Sequence, residues 1–79
     1  ESHQISRETL STRERMGIIL ELLRDGGFVP FRRFFVVEEG RLGAVVTFMA
    51  ILELVKEGLI ELVQNEPYAE IHVRTSQYD

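Results

Sequence analysis

Polar and apolar positions along the chain fall into blocks set off by glycine and proline. Residues 1–10, ESHQISRETL, show no sustained period and read as a tail or linker, with at most a short strand at His3–Ser6. From Ser11 the pattern becomes helical. Met16, Ile19, Leu20 and Leu23 recur at helical spacing. The preceding STRE is a capping box, in which Ser11 accepts from the backbone of Glu14 and Glu14 can reach back. Gly26–Gly27 tolerate the left-handed cap that ends a helix, so a first helix is predicted over residues 12–25.

FVPF follows, short and β-leaning. Proline cannot donate within a sheet, so Phe28–Val29 supports at most an edge strand. Phe31, Phe34 and Phe35 stand at i, i+3 and i+4. This spacing places three rings on one face of a short helix, with Arg32 and Arg33 directed away. VVEEG is a connector.

A long helix is predicted from Arg41 to Glu57, ended by Gly58. Leu42, Val45, Phe48, Met49, Leu52, Val55 and Leu59 form one stripe, and this is taken as the core face. Val46, Ala50, Ile51 and Leu54 fall outside it, so the helix is apolar around most of its girth and should be covered on more than one side. LIELVQ and EIHVR then alternate as strands. Ile71 and Val73 share one face, and Glu70, His72 and Arg74 the other. NEPYA joins them, with Asn65 and Pro67 supplying turn chemistry. The predicted fold class is α+β: a small winged-helix domain over residues 11–74, three helices with a C-terminal β-hairpin wing, and a polar tail at 75–79. The expected core is Met16, Ile19, Leu23, Phe34, Phe48, Leu52, Val55 and Leu59.

Composition narrows the function. The chain has 79 residues, enough for one small domain, and 44% are hydrophobic, enough for a core. The absence of cysteine excludes a disulfide scaffold, a thiolate metal site and a cysteine nucleophile. The first residue is Glu1, no signal-peptide pattern is present, and the chain reads as a fragment of something longer. The longest apolar run is too short to span a bilayer.

The formal net charge is −4, whereas a phosphate-binding surface is normally basic. The long helix, in the place of a recognition helix, carries only Arg41 and Lys56, and Glu53 and Glu57 flank the lysine. The turn of the wing is acidic. DNA recognition is therefore disfavoured; a DNA-binding regulator and a structural dimerisation module stand as the alternatives to a protein-binding adaptor. No catalytic constellation can be assembled. His3 and His72 do not make a zinc site without further ligands, Glu38–Glu39 read as a solvated connector, and Gly26–Gly27 lack the Lys-Ser/Thr of a phosphate loop. No enzyme activity, metal or cofactor is expected.

TFMAILELVKEGLIELVQNEPYAEIHV, residues 47–73, resembles the C-terminal end of segregation and condensation protein A, the bacterial kleisin family. Members show an apolar helix of this type, a breaker, a strand and a Glu-Pro-aromatic turn, here Glu66-Pro67-Tyr68. STRERMGIILELL is similar to the first helix of the same family domain, and FVPFRRFF matches its short hydrophobic helix more loosely. The resemblance covers about residues 5–74. Gly43, early in the long helix, and the basic Arg32–Arg33 depart from the family pattern.

The resemblance implies a winged helix that docks on the ATPase head of an SMC protein, within a condensin-like complex for chromosome segregation and condensation. The implied setting is cytoplasmic, associated with the nucleoid through the complex. The full-length kleisin also carries the accessory subunit ScpB on its middle segment. The expected docking face combines the apolar residues outside the supposed core stripe, Val46, Ala50 and Leu54, with Tyr68 in the turn and Ile71 and Val73 on the second hairpin strand. Such interfaces are anchored by a few apolar and aromatic groups within a polar rim. Leu54 is the sharpest of these expectations, because it lies nearly opposite the centre of the supposed core stripe.

Overall fold

The computed structural model describes residues 11–76. The expected tail at 1–10 and the end of the C-terminal tail at 77–79 lie outside the described residues. Two α-helices, α1 (Thr12–Leu22) and α2 (Gly40–Lys56), pack on a three-stranded antiparallel sheet of β1 (Val29–Pro30), β2 (Ile60–Val63) and β3 (His72–Thr75). The chain is thus α+β and compatible with a small winged-helix-like domain. The third helix expected between α1 and α2 is instead a pair of single 3-10 turns, Phe31–Phe34 and Val37–Glu39.

The first helix starts where its cap box places it. Ser11 has extended backbone, and its hydroxyl accepts the Glu14 N–H at 3.3 Å. The helix buries Arg15 and Ile19 and delivers Leu23, its C-cap residue, to the core. Pro30 ends the two-residue β1 and starts the 3-10 turn. With i and i+3 eclipsed in a 3-10 turn, Phe34 drops into the core. The Phe31 and Phe35 rings sit 5.2 Å apart and pack against that core from outside.

The second helix ends in a Schellman motif. Gly58 adopts φ 77°, its N–H bonds to the Val55 carbonyl, and the Leu59 N–H reaches the Leu54 carbonyl, each at 3.0 Å. The chain then enters the hairpin, whose register pairs Leu62 with Val73 and Val63 with His72. β3 is the central strand, since Val73 also pairs with Val29 of β1. Ser76 donates to the Leu59 carbonyl, so ordered pairing runs past the expected start of the polar tail at residue 75.

The core corrects the expected rotation of α2. Its buried side is Gly43, Val46, Thr47, Ala50, Ile51 and Leu54, and Leu54 is 0% exposed. Phe48 and Leu52, both expected in the core, are each 48% exposed, and Val55 and Leu59 are exposed as well. Ile19, Leu23 and Phe34 are buried as expected, and Met16 packs at the edge of the cluster. The reason lies in side-chain size. Thr47 and Ala50 are small enough to let neighbouring elements pack closely on the buried side, Gly43 is covered by the Glu39 side chain, and Val46, Ile51 and Leu54 complete that side. The larger outer stripe is more hydrophobic yet stays exposed.

Gly43 has a second role. A Cβ there would collide with the side chain of Glu39, which folds back over the first turn of α2. From that position Glu39 Oε2 accepts from Arg15 Nη2 at 2.7 Å, with Arg15 8% exposed. The pair ties α1 to the start of α2, and it accounts for the glycine that departs from the family pattern.

Candidate interaction surface

The inverted helix leaves a continuous apolar face open to solvent. Leu42, Val45, Phe48, Met49, Leu52 and Val55 are all exposed along the outer side of α2, and Leu59 continues the line beyond its cap. Isolated exposed leucines are ordinary, but a row of large apolar side chains on one helix face is a candidate interaction surface. Two hollows shape it. One, of about 390 Å³, is open and lined by Phe35, Arg41, Ala44, Val45, Phe48 and Met49. The other, of about 360 Å³, runs beside α1 and is lined by Thr12, Arg13, Met16, Met49, Glu53 and Glu57. Phe31 meets Phe48 edge to face at 6.4 Å, so the 3-10 turn props one end of the face.

The residues expected to dock do not form a surface. Ala50, Leu54 and Val73 are brought together, but inside the core cluster, and Val46 is buried as well, so no partner can touch them without unfolding the domain. Ile71 is half-buried, and its carbonyl accepts from Phe31 N at 2.8 Å. Tyr68 alone of the six is fully open, at the tip of the wing with φ 68°. Burial therefore removes the basis for the Val46–Ala50–Leu54 face. The exposed residues are those assigned to the core stripe. The signal that could have found them is the spacing of Gly43, Thr47, Ala50 and Leu54, three small residues and one leucine on a single helical face.

The charges around the sheet are largely self-neutralised. Arg74 pairs with Glu61 at 2.6 Å and lies 5.1 Å over the Phe28 ring, which also meets His72 edge-on. Arg32 pairs with Glu70. A wing so paired offers little to a phosphate backbone. Among the described residues no group of three potential metal ligands occurs, and no helix is long and apolar enough to cross a membrane.

The model of the family described as "Segregation and condensation protein ScpA" matches residues 1–76. The chain belongs to this kleisin family. It is 56% identical over 73 residues to segregation and condensation protein A of Coxiella burnetii, covering 92% of this chain and 27% of that protein. The protein of the same name from Xylella fastidiosa strain 9a5c is 52% identical over 73 residues, with 92% and 24% covered. That of Myxococcus xanthus is 42% identical over 71 residues, with 87% and 25% covered. The chain spans about a quarter of the length of the curated relatives it matches.

Proposed function

We propose that this chain is the module by which a bacterial kleisin docks on an SMC ATPase head, and that the outer face of α2 makes the contact. The observation that carries the proposal is the row of large apolar side chains from Leu42 to Leu59 on a helix whose other side already fills the core. Covering that row would recover the burial that the isolated domain lacks. The complex works in the cytoplasm, in contact with the nucleoid through its other parts, and the accessory subunit ScpB binds elsewhere on the longer kleisin. DNA recognition by the domain itself is disfavoured, because α2 presents apolar side chains where a reader needs arginine, lysine, asparagine or glutamine.

The test is head binding by a Leu52→Glu variant. Leu52 is 48% exposed in the free domain, so the variant should keep a native circular-dichroism spectrum. Affinity for a purified SMC head should fall by about 30-fold or more, the loss of a central anchor. A folded variant that binds the head normally would remove this face from the account. Loss of a self-associated state of the chain, with head binding intact, would assign the face to dimerisation instead.

A further inference from the structure

We propose that Tyr68, at the tip of the wing, makes a second contact with the SMC head, its ring entering an apolar slot on that protein. The inference rests on the docking reading above for the partner and adds a site away from α2.

The observation is a tyrosine in a place built for glycine. The Ala69 N–H donates to the Glu66 carbonyl at 3.0 Å, which closes a four-residue turn over residues 66–69. Pro67 takes its second position and Tyr68 its third, with φ 68°. Proline cannot adopt the positive φ that the primed turns need at the second position. This is therefore a type II turn, whose third residue is ordinarily glycine or asparagine. Among the described residues Tyr68 is the one non-glycine with positive φ. A Cβ in that conformation crowds its own backbone, and a bulky side chain there is disfavoured. The turn is also clasped from the strand side, where Gln64 Nε2 donates to the Ala69 carbonyl at 2.7 Å.

Nothing inside the domain offsets that strain. The Tyr68 side chain is fully exposed, so it packs on neither the sheet nor a helix. A strained residue held in place by its surroundings points to a function, and here the ring can act only on something outside the domain. Charge selects the kind of partner. Residues 65–69 carry Glu66 and no cation, and Arg32 nearby is paired with Glu70. Such a tip repels a phosphate backbone or an anionic membrane and leaves a protein surface as the occupant. Tyrosine is among the residues that anchor protein interfaces, and a turn that already holds it outward reduces the ordering cost of binding.

Replacing Tyr68 separates binding from folding, because the two should move in opposite directions. Tyr68→Gly and Tyr68→Asn both suit the third position of the turn, so the thermal midpoint should rise by about 2–5 °C. Affinity for a purified SMC head should nevertheless fall by about tenfold or more in both. Tyr68→Phe keeps the ring and should bind within about threefold of the wild type. Leu52→Glu, measured alongside, reports on the α2 face. If Leu52→Glu abolishes binding while Tyr68→Gly and Tyr68→Asn bind as tightly as the wild type, the tip contact is wrong and the docking face stands. If folded Leu52→Glu binds normally while the Gly and Asn variants lose the head, the docking face is wrong and the tip contact stands. A midpoint that falls in both of those variants would show that Tyr68 serves the fold, and a Tyr68→Phe as weak as Tyr68→Gly would remove the ring from the contact; either result overturns the inference.

Discussion

The two sides of α2 differ in a way that runs against simple hydrophobicity. The inner side holds Gly43, Val46, Thr47, Ala50, Ile51 and Leu54; the outer side holds Leu42, Val45, Phe48, Met49, Leu52 and Val55. The outer side is the more apolar, yet it is the inner one that packs. Close approach of two helices and a sheet selects shape before transfer free energy, because interiors are packed to near-crystalline density. Surplus hydrophobicity is then free to serve a partner. In a domain of this size the core and the proposed interface lie back to back on one helix.

The comparison breaks first at Leu54. Truncation to alanine should cost about 2–5 kcal/mol in chemical denaturation, a large fraction of the stability of so small a domain. A loss below about 1 kcal/mol, as at surface positions, would mean that the inner side is not the core. Gly43→Ala should come next, costing about 1–2 kcal/mol. Alanine gains about 1 kcal/mol of helix propensity, but its Cβ evicts Glu39 and strands the largely buried Arg15. Thr47 sharpens the picture in the other direction. Its side chain is 0% exposed, and its hydroxyl oxygen has no hydrogen-bond partner. Thr47→Val keeps the shape, relieves that unmet group and should stabilise the domain by about 1 kcal/mol. The smallest effect belongs to Leu52→Ala, which should change stability by no more than about 0.5 kcal/mol.

Much of this architecture could be read from local chemistry. The Ser11 cap, the Gly58 stop and the alternation of β2 and β3 are each decided by a few neighbouring residues, whereas the edge strand falls at Val29–Pro30, one residue past the expected Phe28–Val29 and including the proline. The kleisin resemblance rested on the same strings. The rotation of α2 was not legible, because apolar residues occupy nearly its whole girth and periodicity alone cannot choose between two hydrophobic sides. The choice depends on what comes from elsewhere in the chain: Ile19, Leu23, Phe34, Ile60 and Val73 clustering with Ala50 and Leu54, and Glu39 over Gly43. The same ambiguity puts the expected docking residues Val46, Ala50 and Leu54 inside and the expected core residues Phe48 and Leu52 outside. The expected third helix failed for a related reason. Three phenylalanines at helical spacing fit a 3-10 turn equally well when proline precedes them and the run is only four residues long.

The absence of cysteine makes one measurement decisive for both faces. Leu52→Cys and Leu54→Cys, made separately, place a single thiol on the outer and on the inner side of α2. Maleimide labelling of the native chain, with and without a purified SMC head, reads the exposure of each. The account predicts fast labelling at position 52 that slows sharply when the head is added. At position 54 labelling should be slow in both conditions and released only by denaturant. Labelling at 54 as fast as at 52 in the folded chain would contradict the inverted helix, and a position 52 that labels equally fast with the head bound would contradict the outer face as its docking surface.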